Sequence, residues 1–400
     1  MAGAGQTGEK TMRYDFDTII DRRGTFCTQW DYIEDRFGER DLLPFSISDT
    51  DFRVPGPIQE KLQEVIAHGI YGYSRWNHNF YKGAVADYFK ERHHADAEAD
   101  WVVYSPSVLY SIAVLLRFLS RPGDRILTFQ PMYDAFFRVI EDNGRCLVAS
   151  ELQNKDGHFE IDFADFEKKA AESKVFLLCS PHNPTGRVWT DEELGRIFEI
   201  CGRYGLPVIS DEIHSDIVLG DRRHCPAILW REQAPVYLVS SPSKTFNTPG
   251  LGGSYALIPD KEIREAFISR LRNRDFLNSV SLPGMHAAIT GYRKCMDYAD
   301  ELVEYVRGNM RFLKECVDGE LQDFGVRFTI PEATYLAWMD VSRVPAAGKE
   351  LQKAFITVGK VGIMAGEVYG GPGYLRMNLG CPRTKLEEGI ERMKKGLKSL

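Results

Sequence analysis

The stretch that decides the fold is residues 236–250, Val-Tyr-Leu-Val-Ser-Ser-Pro-Ser-Lys-Thr-Phe-Asn-Thr-Pro-Gly. The apolar run at 236–239 predicts a buried strand, which ends at three serines interrupted by a proline. Lys244 follows at once and is the only basic residue between Arg231 and Lys261. A lysine that loses solvation at such a position favours its neutral amine, which can attack a carbonyl and form a Schiff base. Taken alone, Ser-x-x-Lys is more often part of a surface loop, so the rest of the chain has to decide.

The composition is that of a folded chain without a footprint for nucleic acid or membranes. The 400 residues are 44% hydrophobic and 27% charged, and the net charge is −7 without long runs of one sign. Neither nucleic acid nor an anionic membrane surface is therefore an expected partner. The longest apolar stretch, at 108–119, contains Ser111 and Arg117 and is too short to span a bilayer.

The cysteines and histidines point away from disulfides and metals. Eight cysteines are scattered without a Cys-x-x-Cys pair, and nine histidines include no His-Glu-x-x-His. We therefore expect reduced thiols, no metal site and a cytoplasmic location. Residues 1–10 are small and polar without an apolar core, so we expect a disordered tail there rather than a signal peptide.

From residue 101 onward, predicted strands alternate with predicted helices. Apolar runs predict strands at 101–104, 125–129, 174–179, 206–210 and 236–239. Helices are predicted between them, including one at 108–119 and one that begins after Thr190, which has capping-box spacing to Glu193. This alternation predicts an α/β fold with a mostly parallel sheet flanked by helices.

Before residue 101, two helices are predicted. Pro55 and Pro57 open the first, which ends at Gly69. Its apolar positions are Ile58, Leu62, Val65 and Ile66. An aromatic loop at 71–76 follows, and the second helix is predicted at about 78–92.

Four of the predicted strands end in polar loops, and in a parallel sheet such ends share the edge where ligands bind. Ser107 and the backbone amides of Val108 and Leu109 begin a helix, which is an anion site. Ser241 and Ser243 add hydroxyl donors before Lys244. Ser-Pro-Ser before a helix is also a common cap, so the anion site is a hypothesis that depends on its neighbours.

Three more side chains at this edge suit a phosphorylated pyridine aldehyde. Asp211, at a strand end, could hold a proton on a ring nitrogen and make the ring an electron sink. Asn183 can donate to a ring hydroxyl, and Tyr133 can lie flat on a ring. Each also has a structural interpretation, as a helix terminus, a turn or a core aromatic. Their coincidence at one sheet edge beside Lys244 favours the site.

Three motifs carry a family resemblance. They are Asn183-Pro184-Thr185-Gly186, Ser210-Asp211-Glu212-Ile213-His214 and Ser241-Pro242-Ser243-Lys244-Thr245-Phe246-Asn247. With them the chain resembles the pyridoxal-phosphate (PLP) enzymes of aminotransferase fold type I. Further blocks at 14–17, 24–32, 68–76, 133–137, 334–338 and 376–383 are most similar to the branch of cystathionine β-lyases and related carbon–sulfur lyases.

The resemblance implies an architecture and an activity. It implies a large PLP-binding domain at 56–290, and a smaller α+β domain built from both chain ends, 11–55 and 291–400. It implies a homodimer with shared active sites. The implied reaction is α,β-elimination of L-cystathionine, or a related cysteine S-conjugate, to a thiol (homocysteine), pyruvate and ammonia. An aminotransferase activity stays open, and so does an added regulatory role in which the protein binds a transcriptional activator.

The resemblance also implies cofactor contacts. Lys244 carries PLP as a Schiff base, Asp211 pairs with the pyridine nitrogen, and Asn183 contacts the ring oxygen. His214 stands where many aminotransferases place a tyrosine against that oxygen. Tyr133 stacks on the ring, and the phosphate lies at the predicted anion site.

Contacts with the substrate and with the partner subunit follow in the same way. Tyr73 is expected to act in catalysis and to reach the phosphate of the neighbouring subunit's cofactor. Arg376 is the expected clamp for the substrate α-carboxylate, with Asn183 and Ser48 beside it. No acidic residue lies between 367 and 387 to pair with this arginine locally. Gly252 departs from the many aminotransferases that carry a basic residue eight positions after the lysine.

Overall fold

The strand that precedes Lys244 lies inside an eight-stranded sheet in the computed structural model, which describes residues 12–346 and 348–400. The predicted tail at 1–10 lies outside the described residues. The strands are β1 Leu43–Pro44, β2 Val102–Ser105, β3 Arg125–Gln130, β4 Cys146–Lys155, β5 His158–Ile161, β6 Val175–Cys179, β7 Val208–Asp211, β8 Val236–Ser240, β9 Ser254–Leu257, β10 Arg327–Phe328, β11 Leu336–Asp340, β12 Val361–Gly362, β13 Met364–Ala365 and β14 Tyr374–Asn378.

The large sheet is mostly parallel, as predicted. Its order is β2-β9-β8-β7-β6-β3-β4-β5, and the pairs from β8 to β4 are parallel. β9 runs antiparallel to both β8 and β2, so β2 is parallel to β8 and ends at the same edge. Every residue of β6, β7 and β8 is buried, because helices cover both faces of a parallel sheet.

The α-helices of the described residues agree closely with the sequence pattern wherever it predicts one. They are α1 Ile33–Phe37, α2 Gly56–His68, α3 Asn79–His93, α4 Val108–Leu119, α5 Asp134–Glu141, α6 Phe163–Ala170, α7 Asp191–Arg203, α8 Ser243–Phe246, α9 Lys261–Asn273, α10 Leu282–Lys294, α11 Met296–Cys316, α12 Gly348–Ala354 and α13 Arg383–Leu397. The predicted capping box of α7 is present, since Thr190 and Glu193 each accept a hydrogen bond from the other's backbone amide.

One of the four apolar positions of α2 is exposed rather than buried. Ile66 of α2 is 65% exposed, whereas Ile58 and Val65 are buried and Leu62 is half-buried. α2 packs against α10 along a single stripe, and Ile66 lies a further 100° around the helix from Val65. Its exposure therefore marks an apolar face that nothing within one chain covers among the described residues.

Segments from near the two chain ends meet in a second region. β10, β11, β14 and β13 form an antiparallel sheet in that order, and β1 pairs in parallel with β12. Gly389 of α13 lies where any Cβ would contact the ring of Phe45, so α13 packs closely on the segment after β1. The domain limits at 55/56 and 290/291 stay predictions. Among the described residues, no helix has both the length and the apolar composition that crossing a membrane requires.

Candidate active site

The carboxyl ends of β2, β6, β7 and β8 meet at one cavity. The polar loop after each of these strands contributes to its wall, as the topology requires for a parallel sheet. The lining residues are Ser48, Pro106, Ser107, Val108, Leu109, Tyr133, Cys179, Asn183, Asp211, Ile213, His214, Ser241, Ser243, Lys244, Pro249, Gly252, Gly253 and Ser254. Of the side chains singled out in the sequence, the lining excludes Arg376 and Tyr73.

Lys244 lies on the one-turn helix α8, with its amine inside the cavity. Its Nζ donates a hydrogen bond to the backbone carbonyl of Ser48. Parts of the side chain are accessible through the cavity, but the amine itself is enclosed, and this burial lowers the pKa of Lys244 to about 8. Asp49 and Asp211 oppose that effect without cancelling it. At pH 7 about a tenth of the amine is therefore neutral and nucleophilic, far more than at the ordinary pKa of lysine.

Asp211 is a buried carboxyl that forms no ion pair with any of the described residues. It is the last residue of β7 and is 4% exposed, and its Oδ1 accepts a hydrogen bond of 3.2 Å from the backbone amide of Ile213. Burial raises its pKa to about 7. A cationic N–H donor placed in the cavity would supply the positive charge that stabilises the ionised carboxylate.

The start of α4 forms an anion cradle at the other end of the cavity. Ser107 caps the helix by accepting a hydrogen bond of 3.1 Å from the amide of Tyr110, which leaves the first amides, those of Val108 and Leu109, without intrahelical acceptors. Gly252 also lines the cavity and adopts φ +70°, a conformation that favours glycine. The wall at this place thus offers backbone N–H groups and no basic side chain at position 252.

Two serines that precede Lys244 lie beside the cradle. Ser241 Oγ donates a hydrogen bond of 2.8 Å to the carbonyl of Gly253 and accepts one of 3.2 Å from the amide of Ser243. These bonds fix the loop between β8 and α8 against the glycine pair, so both serines lie on the cavity wall.

Three side chains surround the middle of the cavity. Asn183 accepts a hydrogen bond of 3.1 Å from Arg376 through Oδ1, which leaves its amide N–H₂ for another acceptor. Burial lowers the pKa of His214 to about 3, so its ring is neutral, and its Nδ1 has no partner within the described chain. Tyr133 directly precedes α5, and burial raises the pKa of its phenol to about 12.

Arg376 adjoins the cavity through Asn183 and is 4% exposed. Its Nη2 donates a hydrogen bond of 3.1 Å to the carbonyl of Ser46, its Nε has no partner among the described residues, and its guanidinium lies 4.3 Å from the ring centre of Tyr369. Asn378 of β14 points to the same segment as Arg376, since its side-chain amide donates a hydrogen bond of 2.6 Å to the carbonyl of Ile47. A buried guanidinium with only neutral partners is a suitable receptor for a carboxylate.

The sequence interpretation missed Tyr335. Its hydroxyl donates a hydrogen bond of 3.0 Å to the carbonyl of Ser48, the same oxygen that accepts from Lys244. Thr334 holds it there with φ +70°, which is rare for a β-branched residue. Tyr335 lies in the block 334–338 that carries the family resemblance, but no spacing in the sequence links it to Lys244. The side chain of Tyr73 is fully exposed and contributes nothing to the cavity of its own chain.

Comparison with known proteins identifies the family. The chain belongs to the aminotransferase class I and II family, whose model matches residues 40–393. It is 41% identical to protein MalY of Escherichia coli (strain K12) over 383 residues, 94% of this chain and 97% of MalY. It is 36% identical to cystathionine beta-lyase PatB of Bacillus subtilis (strain 168) over 390 residues, 96% of this chain and 99% of PatB. The crystal structure of cystalysin from Treponema denticola, which contains a PLP cofactor, has a TM-score of 0.91 at 30% identity, covering 97% of this chain and 100% of cystalysin.

The donor set of the cavity fits PLP. The amides of Val108 and Leu109 suit the phosphate, and the unpaired carboxyl of Asp211 suits a protonated pyridine nitrogen. The free amide of Asn183 suits the ring hydroxyl, and the amine of Lys244 suits the aldehyde. Each polar group of the cofactor thus finds a group of matching character.

Proposed function

We propose that this protein is a PLP-dependent carbon–sulfur β-lyase that acts on L-cystathionine or a related cysteine S-conjugate. The products are a thiol (homocysteine from cystathionine), pyruvate and ammonia. The proposal depends most on one observation: two buried groups with shifted pKa values, Lys244 and Asp211, lie at one cavity. The family membership and the 36% identity to a cystathionine beta-lyase over 96% of the chain support it.

Lys244 and Asp211 each handle one proton of the reaction. When bound, PLP supplies an aldehyde that condenses with amines and a pyridinium ring that withdraws electrons from the substrate Cα. Asp211, ionised on pairing, holds the proton on the pyridine nitrogen and so keeps the ring electron-withdrawing. The Nζ of Lys244, with a pKa of about 8, is neutral often enough near neutral pH to take the proton from the substrate Cα.

Arg376 and Asn183 orient the substrate. The guanidinium of Arg376 exchanges its hydrogen bond to the carbonyl of Ser46 for the two oxygens of the α-carboxylate. This places the Cα–H bond toward Lys244 and leaves the Cβ–S bond free to break. Ser48 keeps its place beside the substrate because its carbonyl is bound to Tyr335.

An assay with and without a keto acid separates the lyase from the aminotransferase, which would use the same residues. Purified holoenzyme is incubated with L-cystathionine, and pyruvate, ammonia and free thiol are measured. A lyase forms all three in equal amounts without any acceptor. Product formation that depends on an added keto acid, with no pyruvate in its absence, would replace the lyase by an aminotransferase.

A homodimer with shared active sites belongs to the same proposal. Large apolar side chains are exposed in two segments, at 66–80 and 276–277. The segments are neighbours, because Ser74 Oγ donates a hydrogen bond of 2.9 Å to the carbonyl of Val280, just after the second one. The exposed side chains are Ile66, Ile70, Tyr71, Tyr73, Phe80, Phe276 and Leu277. A second copy of the chain would cover this patch and receive Tyr73 at its cofactor phosphate.

Two further expectations stay predictions. Binding of a transcriptional activator is tested by affinity capture from cell extract with the holoenzyme as bait. A cytoplasmic location is tested by fractionation of the cells in which the protein is made.

A further inference from the structure

One buried carboxylate near the cavity has no part in the proposed reaction. Asp216 follows β7 by five residues, and its side chain is 2% exposed. Its Oδ2 accepts a hydrogen bond of 2.7 Å from the hydroxyl of Thr245, the residue next to Lys244. The segment that carries Asp211 is thereby tied to the turn that carries Lys244.

The helix that bears Lys244 needs such ties. α8 is four residues long, and a single turn makes too few backbone hydrogen bonds to hold its own direction. Its orientation therefore depends on side-chain anchors close to Lys244. After the lysine, Asn247 exchanges hydrogen bonds with the backbone of Thr50, at 3.2 Å and 2.9 Å. The other anchor is the bond from Thr245 to Asp216.

The other oxygen of Asp216, Oδ1, accepts no hydrogen bond within the described residues but lies beside a cationic side chain. Arg92, near the end of α3, lies 3.5 Å from Asp216 Oδ1 and also forms an ion pair of 2.7 Å with Asp300 of α11. His93 lies 4.0 Å from the same Oδ1 and contacts the hydroxyl of Tyr88 at 2.9 Å. The carboxylate that anchors Thr245 thus lies against α3, and the charge of Arg92 partly offsets burial, which raises the pKa of Asp216.

We infer that Asp216, acting through Thr245, is a positioning residue that directs the amine of Lys244 toward the substrate Cα. The inference rests on the proposed function, because it assigns Lys244 the proton transfer. Neither Asp216 nor Thr245 lines the cavity, so both act only by fixing α8. Misplacement of a reacting group by about 1 Å costs up to about 100-fold in rate, so a hydroxyl outside the cavity can matter for turnover.

Thr245→Val, which keeps the shape and removes the hydroxyl, is the direct test on the holoenzyme. We expect kcat for L-cystathionine to fall about tenfold or more, with KM within about twofold, because no substrate contact is lost. The pH at which the visible absorption of the holoenzyme changes, measured without substrate, should shift as well. Thr245→Ser should restore both readouts.

Ser150→Ala is the matched control. Ser150 of β4 is buried and donates a hydrogen bond of 2.8 Å to Asp165, so this variant loses the same kind of bond away from the cavity. Its kcat and visible absorption should match wild type. Equal losses of kcat in Ser150→Ala and Thr245→Val would overturn the inference, as would wild-type kcat and absorption in Thr245→Val.

Asp216→Asn completes a double-mutant cycle and serves if Thr245→Val folds poorly. It weakens the same bond, since a charged acceptor binds about twice as strongly as a neutral one, so kcat should fall about threefold or more. The double variant Thr245→Val/Asp216→Asn should have the same kcat as Thr245→Val alone. The inference would be overturned if the two losses of kcat were additive, or if a single variant had a lower melting temperature but a wild-type kcat. A wild-type holoenzyme that forms no pyruvate would refute the proposed function instead, independently of either variant.

Discussion

At the scale of single residues, burial brings the pKa values of two ionisable groups of the cavity close to neutral pH. It lowers the pKa of Lys244 to about 8 and raises that of Asp211 to about 7. Both shifts have desolvation as their main cause, and each disfavours the charged form. A cofactor that brings an aldehyde to one group and a ring N–H to the other would relieve both, so the cavity is prepared for PLP at some cost in stability.

The cost at Asp211 predicts how the stability of the cofactor-free protein depends on pH. The folded-state pKa of about 7 exceeds the ordinary value of 3.8, so between these values the folded protein binds a proton that the unfolded chain has lost. The free energy of unfolding therefore falls as pH rises from about 4 to 7, by up to about 4 kcal/mol from this group. Asp211→Asn removes this loss. Urea unfolding should show the cofactor-free variant more stable than wild type at pH 7.5 and equal to it near pH 4; an equal gain at both pH values would contradict the assignment.

Arg376→Lys tests the carboxylate clamp. Lysine keeps the charge but loses the two-point fork, and a hydrogen bond to a charged group contributes about 1.5–3 kcal/mol. We expect kcat/KM for L-cystathionine to fall by about 10–100-fold with nearly unchanged melting temperature. A variant with wild-type kinetics that melts well below wild type would instead make Arg376 structural, through its bonds to Asn183 and Ser46.

The sequence predicted the lining residues that follow strands, because chain order and parallel topology place strand ends together. It did not predict contacts between distant segments. Ser46 contacts Arg376, and Tyr335 contacts the carbonyl of Ser48 that also binds Lys244. The sequence distances between these partners are too long for any local pattern to encode. The positive φ of Thr334, which sets Tyr335 in place, depends on packing rather than on any signal in the sequence.

At the scale of elements, the first amides of α4 are the proposed phosphate donors. Ser107 before it is extended, with ψ 158°, which is the conformation that a following proline requires. Val108→Pro therefore keeps the helix, since proline is favoured at the first helical position, but deletes one N–H donor. We expect the dissociation constant of PLP to rise about tenfold or more, from the loss of a charge-assisted hydrogen bond.

The control for Val108→Pro is the same change at the start of α9. Lys261 is its first residue, it is exposed, and Asp260 before it is extended and caps the helix. Lys261→Pro should leave PLP affinity at the wild-type value. Titration of cofactor-free protein with PLP measures both variants, and equal affinities in the two would remove α4 from the phosphate site.

The regular elements were predictable where their period was clear. The bounds of α4 agree with the predicted 108–119, and those of β6 and β8 agree within a residue. β9 was missed because it is short, follows a glycine pair and runs antiparallel within a parallel sheet. β4 was missed because its second half is polar and exposed, and β5 because it is four residues long with only Phe159 and Ile161 buried.

At the scale of the whole molecule, the exposed apolar patch at 66–80 and 276–277 and the full exposure of Tyr73 point to the same partner, a second copy. Mixing two inactive variants, Tyr73→Ala and Lys244→Ala, tests the shared site. A mixed dimer holds one site with both native residues. If subunits exchange at random, about half of the dimers are mixed, so about a quarter of wild-type activity should return. Mixed dimers that form but stay inactive would show that each chain builds its site alone.

The most direct measurement of the central claim is the visible absorption and pyruvate release of Lys244→Ala beside wild type. We expect wild type, purified with PLP, to absorb in the visible range and to release pyruvate from L-cystathionine without a keto acid. Lys244→Ala should lose both the band and the pyruvate, whereas Lys261→Ala, at the next lysine along the chain, should keep both. A Lys244→Ala protein that still forms pyruvate at the wild-type rate would contradict the account.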